Sequence, residues 1–165
     1  MAWGLPELAA FLTDLGVEVV PPPSDADQLL VALSGDEPQA PHPATLQLVA
    51  SRGQDEQLLL IDVTYPFTAP VLDDARLAGA LLAPYFVLGR TEVDDDGSVH
   101  HRYALVVDAA ADLPRGVLTH VVSLLNYEQL HYGDYLEAVC VRQARLDTFA
   151  ELVARGEANP TGGLS

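Results

Sequence analysis

The stretch from Val71 to Val139 restricts the fold most. It reads as a helix from Val71 to Leu82, a strand from Tyr85 to Val93, the tight turn Asp94-Asp95-Asp96-Gly97, and a strand from Val99 to Val107. A long helix then opens after Leu113-Pro114. Asp-Gly between alternating apolar runs is a strong short-range hairpin signal, because both residues accept the backbone geometry of a tight turn. A hairpin held between two amphipathic helices needs a sheet to join, and strands for that sheet lie upstream.

Those strands read as a meander. Asp27–Ser34 (DQLLVALS) is one. Ala44–Ser51 (ATLQLVAS) alternates, with Leu46 and Leu48 opposite in direction to Thr45, Gln47 and Val49. Glu56–Phe67 (EQLLLIDVTYPF) is apolar on both faces through Leu58–Ile61, which predicts a central strand with helices covering it. Upstream, Leu5, Leu8, Leu12 and Leu15 recur at helical spacing, with Pro6 in the first turn and Gly16 as a stop. Val17–Val20 is a short extended piece ended by Pro21-Pro22-Pro23, read as a spacer rather than a polyproline ligand. Gly35–Pro43 is a Pro-rich loop that holds His42, with nothing converging on it. Downstream, Leu118, Val121, Val122 and Leu125 form an apolar helical stripe. The helix is expected to break near Gly133 and resume through Val139. A further helix follows over Arg142–Arg155. The expected fold is α+β: a mainly antiparallel sheet of about five strands with helices on one face, in the order α-β-β-β-α-β-β-α plus an extra C-terminal helix. Residues 1–156 form one domain and 157–165 a flexible tail.

Charge narrows the partners. The chain has 24 acidic residues against 8 basic ones, all Arg, for a net charge of −16. Such a surface repels phosphate backbones and anionic lipid, so neither nucleic acid nor membrane is an expected partner. A basic or amphipathic polypeptide is. The absence of Lys and the Ala, Arg, Gly, Val and Asp bias suggest a GC-rich, bacterial genome. No apolar run reaches the roughly 18 residues of a membrane span. The first residues lack the basic start of a signal peptide, which points to the cytoplasm. Cys140 is alone, so no internal disulfide or thiolate zinc cluster forms, and it reads as a small semi-buried hydrophobe.

Candidate chemistry is sparse. The Asp94–Gly97 run fails the spacing of a calcium loop and reads as a solvated turn. His100 and His101 are strand neighbours whose side chains point to opposite faces, one towards solvent and one under a helix, so they do not share a metal. No GxSxG, HExxH, CxxC or phosphate-cradling glycine loop occurs. No cofactor or metal is expected, and the chain does not read as an enzyme. Tyr127, His131 and Tyr135 stand at i, i+4 and i+8 on one helix face, with Leu124 and Glu128 close by. The plain reading is an amphipathic boundary; the functional one is an interface, since Tyr suits half-wet contact surfaces. Tyr127, His131 and Tyr135 are therefore the expected partner contacts, with Leu124 as a supporting anchor. A different class also fits: a ligand-binding protein or motif-less enzyme with a pocket between sheet and helices, whose first candidates are His101, Tyr103 and His131. A fixed subunit of a larger assembly is a third.

The element order resembles the fold shared by type III secretion chaperones and the YbjN-type domain. The local match runs through Ala75-Arg76-Leu77-Ala78-Gly79-Ala80-Leu81-Leu82, Phe86-Val87-Leu88-Gly89, the turn at Asp94–Gly97, Ala104-Leu105-Val106-Val107, and Leu113-Pro114 with the helix through Leu118 and Leu125. It spans roughly residues 5–140. The resemblance implies a small acidic protein, usually a homodimer, that binds another polypeptide and performs no chemistry. In the secretion chaperones partner segments lie extended across apolar patches. The chain departs from that pattern in the Pro-rich insertion Pro38–Pro43 and in the additional helix, which stands where a dimer surface is expected.

Overall fold

The computed structural model describes residues 3–20, 28–33, 42–50, 56–108, 110–142 and 145–155. Helix α1 (Leu5–Asp14) is followed by strands β1 (Glu18–Val20), β2 (Gln28–Leu33), β3 (His42–Ala50) and β4 (Glu56–Thr68). Then come α2 (Leu72–Leu82), a 3-10 turn (Ala83–Tyr85), the hairpin β5 (Arg90–Val93) and β6 (Ser98–Asp108), α3 (Arg115–Cys140) and α4 (Leu146–Arg155). The strands form one antiparallel sheet in the order β1-β2-β3-β4-β6-β5. The fold is α+β, with the extra C-terminal helix. A sixth strand arises because Val17–Val20, read only as extended, pairs with β2 through Val19 opposite Val31. His42 opens β3 opposite Leu33 and does not lie in a loop. Pro21–Pro23, most of the Pro-rich loop and the tail 157–165 lie outside the described residues.

Strand β4 is central, between β3 and β6. Its odd-numbered residues Leu59, Ile61, Val63 and Tyr65 are all buried, while Leu58, Leu60, Asp62 and Thr64 are only partly covered. Helices cover one face and not both, contrary to the reading of Leu58–Ile61. On that face Leu8, Phe11 and Leu12 of α1 meet Leu118, Val121 and Leu125 of α3 over Leu29, Val31, Leu59, Ile61, Val63 and Val107. A second cluster joins Ala75, Ala78 and Leu82 of α2 to Tyr135, Leu136 and Val139 of α3 and Phe149 of α4. Each fully buried large side chain in these clusters stabilises by about 1.5–3 kcal/mol.

Helix α3 serves both clusters. Its 26 residues span about 39 Å, and it does not break at Gly133. The Cα of Gly133 lies so near the Tyr65 ring that an added Cβ would stand 3.2 Å from Cε1. Glycine here allows close helix–sheet approach and does not end the helix. The α3 N-terminus follows Pro114 as expected.

The hairpin turn closes through Gly97, at φ +88, whose amide donates to the Asp94 carbonyl. The Asp96 carboxylate accepts from the Ser98 amide at 2.9 Å. The strand expected to begin at Tyr85 begins only at Arg90. Ala83–Tyr85 coil into the 3-10 turn, and Phe86–Gly89 form a loop that Gly89 ends at φ +71.

A Cβ at Gly89 would lie 2.3 Å from the Arg102 carbonyl oxygen, whereas one at Gly16, also at positive φ, meets nothing within 4 Å. Gly16→Ala is therefore expected to cost only the left-handed backbone penalty, about 1–2 kcal/mol. Gly89→Ala adds a backbone clash and should cost visibly more. Urea unfolding of the two variants measures the difference.

Candidate functional site

Five rings run from the core to solvent across the junction of the 86–89 loop and α3. His101, fully buried on β6, packs against Phe86 at 4.7 Å between centroids. Phe86 meets Tyr132 edge-on at 5.0 Å. Tyr132 meets His131 at 4.9 Å, and His131 stacks on Tyr127 at 5.3 Å. The Tyr132 hydroxyl also donates to the Tyr85 carbonyl at 3.3 Å, and burial with nearby acidic and phenolic groups pushes its phenol up. The row ends in Tyr127, 56% exposed, and the adjoining segment exposes Val87 at 70% and Tyr85 at 42%. Exposed aliphatic and aromatic side chains near one another mark contact surfaces more often than isolated ones do.

A buried carboxylate holds the loop that presents them. Glu128 of α3 is 1% exposed. Its Oε1 accepts from the amides of Val87 at 2.5 Å and Leu88 at 3.0 Å. Its Oε2 lies 3.3 Å from His101 Nε2. That nitrogen is 2.6 Å from the Leu88 carbonyl oxygen. A carbonyl only accepts, so Nε2 carries the proton and ties the loop down from the strand side. Two charge-assisted bonds to consecutive amides offset much of the cost of removing the carboxylate from water. Beside it, Gln129 is also 1% exposed. Burial raises the neighbouring Tyr65 phenol far above its usual range, an effect that a hydrogen bond with Gln129 partly opposes. A polar seam of Glu128, His101 and Gln129 thus crosses the middle of the helix–sheet layer.

The expected contact residues separate. Tyr127 is on the surface, and His131 and Leu124 are half-buried beside it. Tyr135 is a correction: it is 4% exposed and packs edge-on against Phe149 at 6.1 Å. Eight residues along a helix turn the side chain about 80° from Tyr127, and α4 covers that direction. The trio proposed for a pocket does not form one: His101 is in the seam, Tyr103 packs partly buried against the α1–α3 cluster, and His131 is on the outer ring row. His100 and His101 do face opposite ways, His100 towards Asp62 at 2.8 Å on the helix-free face. Cys140 is 3% exposed, and burial pushes its thiol up to about 11, which makes it a poor nucleophile at neutral pH. Among the described residues, no three His, Cys, Asp or Glu side chains gather as a metal site, and no helix is long and apolar enough to cross a membrane.

The helix-free face carries its own pattern. Arg102 of β6 binds Asp62 at 2.9 Å, Glu92 at 2.5 Å and Asp94 at 3.2 Å. The Arg102 guanidinium, helped by Arg90 and opposed by burial, holds the Glu92 carboxyl below its ordinary value. Next to this knot an open basin of about 760 Å³ is lined by Gln28, Leu60, Asp62, Arg90, Arg102 and Ala104, among others. Further along, Leu58 pairs with Val106, which is 62% exposed.

Compared with known proteins, the sequence matches no family model and no curated protein.

Removing the Glu128 carboxylate leaves the amides of Val87 and Leu88 without their acceptor. Glu128→Ala should cost about 3–5 kcal/mol in denaturant unfolding, with a smaller loss for Glu128→Gln, whose amide oxygen still accepts. The Arg102–Glu92 pair behaves differently. A carboxyl with a lowered folded pKa stabilises at neutral pH, and the contribution disappears as pH falls through that lowered value. Arg102→Met should therefore be less stable than the parent at pH 7, and the gap should narrow on acidification below the ordinary glutamate range. Thermal unfolding followed across pH reads this out.

Proposed function

We propose that this protein is a non-catalytic polypeptide-binding module, chaperone-like or adaptor in kind, working in a bacterial cytoplasm and akin to the secretion chaperones and YbjN-type domains it resembles. The carrying observation is that Tyr85, Val87 and Tyr127 are exposed where α3 meets the loop that Glu128 holds from inside. A patch already held in one conformation loses little entropy on binding, and Tyr supplies large contact area with few rotatable bonds. Leu124 and His131 complete its rim.

The favoured partner is an amphipathic or basic polypeptide. Its apolar side chains would settle on Val87 and the Tyr rings, with the net charge of −16 speeding encounter with a cationic chain. A ligand pocket between sheet and helices finds less support. That layer is filled by two apolar clusters joined by the Glu128 seam.

The test is affinity capture from the native cell with mass spectrometry, comparing the parent chain with Tyr127→Ala and Val87→Asp. Both sites are exposed, so these variants should unfold within about 0.5 kcal/mol of the parent. Loss of the same captured protein from both, by about ten-fold or more, supports the reading. Undiminished capture by both rejects it. Tyr135→Ala is the contrast: it should lower stability by about 3–5 kcal/mol, as truncation of a buried aromatic does.

A further inference from the structure

Strand β6 runs on beyond its hairpin partner. β5 pairs only with Val99–Arg102, while β6 continues to Asp108 beside β4. Among the described residues no strand pairs with the other edge of Tyr103–Asp108. Gly89 shows which backbone groups face that edge. A Cβ there would stand 2.3 Å from the Arg102 carbonyl oxygen, so Arg102 turns its N–H and C=O towards the β5 side. Alternate residues of a strand do the same, and Ala104 and Val106 therefore present both groups outward. The open stretch is bounded. Gly89 closes one end, and at the other the Trp3 indole N–H donates to the Asp108 carbonyl at 3.3 Å.

Edges of this kind usually carry Lys, Pro or a bulge that discourages pairing. This one carries Ala104 and Val106, both exposed. Beside it lies a slot of about 230 Å³ between β6 and the start of α3, lined by Leu105, Val107, Pro114 and Val117 among others. Val117 is itself half-exposed. Leu124 and Tyr127 follow it at i+7 and i+10, on the same face of α3. The helix thus flanks the edge from the slot to the outer tyrosine, and Val87 stands in the loop that leads into Gly89.

We infer that the partner enters here as an added strand: an extended segment of polypeptide pairs through its backbone with Ala104 and Val106 of β6. This rests on the polypeptide-binding reading and adds to it the partner's conformation and side-chain pattern. A helix spends its backbone groups on itself, whereas an extended chain offers a donor and an acceptor to the edge at every second residue. Its side chains alternate between the faces. Those on the helix side enter the slot and lie along Val117 and Leu124, which calls for branched aliphatic groups. Those on the other side lie beside Ala104 and Val106, where β-branched residues fit. Asp112, exposed at the rim of the slot, favours a basic residue at that end.

Amide hydrogen exchange followed by NMR on the full chain tests this. The probe is a blocked eight-residue peptide that alternates Val with Thr and Arg, beside the same peptide with its interior amides N-methylated. In the free protein the Ala104 and Val106 amides should exchange quickly and those of Leu105 and Val107, which face β4, slowly. The unmodified peptide should slow Ala104 and Val106 by about ten-fold or more; the N-methylated one, which keeps the side chains, should bind at least about ten-fold more weakly. Val106→Pro removes one outward N–H, and proline is tolerated on an open edge; it should abolish the protection at Ala104. If that variant fails to fold, the N-methylated peptide decides alone. Unchanged exchange at Ala104 and Val106 with peptide overturns the inference. So does equal binding of the N-methylated peptide, or protection in the free protein that grows with its concentration, the mark of two copies pairing edge to edge. Those results leave the polypeptide-binding reading to stand on its own variants, Tyr127→Ala and Val87→Asp.

Discussion

A single carboxylate, Glu128, governs the local geometry on which the candidate site depends. It stands at the midpoint of the long helix α3, 1% exposed, and accepts from the amides of Val87 and Leu88. The segment between the 3-10 turn and β5 has no sheet partner of its own, so its inward amides need an acceptor from elsewhere. Glu128 provides it from the helix side and His101 engages the Leu88 carbonyl from the strand side. The loop is thus pinned between the two layers of the fold. Everything it carries outward, from Tyr85 to Gly89, inherits that rigidity.

The same seam divides the interior. Leu118, Val121 and Leu125 of α3 belong to one apolar cluster; Tyr135, Leu136 and Val139 belong to the other. Polar residues between two such clusters contribute less to stability than apolar replacements would, but they admit few alternative arrangements. The sheet's other face is organised by opposite means. There the charges are half-exposed and cross-paired around Arg102, and the apolar rows are left open. One face of the sheet is committed to folding, while the other and the outer end of the ring row have surface to spare for contacts.

Much of this was legible in the residues. Asp94–Gly97 marked the hairpin because few sequences satisfy that turn. The apolar spacing in α1, α2 and α3 located the helices, and the density of Leu58–Ile61 identified β4 as central. The failures share a cause: long-range partners. Phe86-Val87-Leu88-Gly89 looks like a strand because it is apolar, and only an acid 40 residues on explains why it is a loop. A signal for Glu128 did exist. Leu118, Val121 and Leu125 continue at helical spacing onto 128 and 129, so an acid there falls on the buried stripe and needs partners. Tyr135 was misplaced because i+8 drifts around the helix, towards a neighbour, α4, that the ring pattern alone does not reveal. The helix-free face was missed because an apolar run on both sides of a strand reports burial, or a surface waiting for another molecule, in the same way.

The account rests on the loop's being held from within. Native-state amide hydrogen exchange of Val87 and Leu88 measures that directly. If Glu128 accepts from both, their protection should approach that of the α3 core amides and fall together in Glu128→Ala. Exchange at the rate of an open surface loop, unchanged by the substitution, would contradict it.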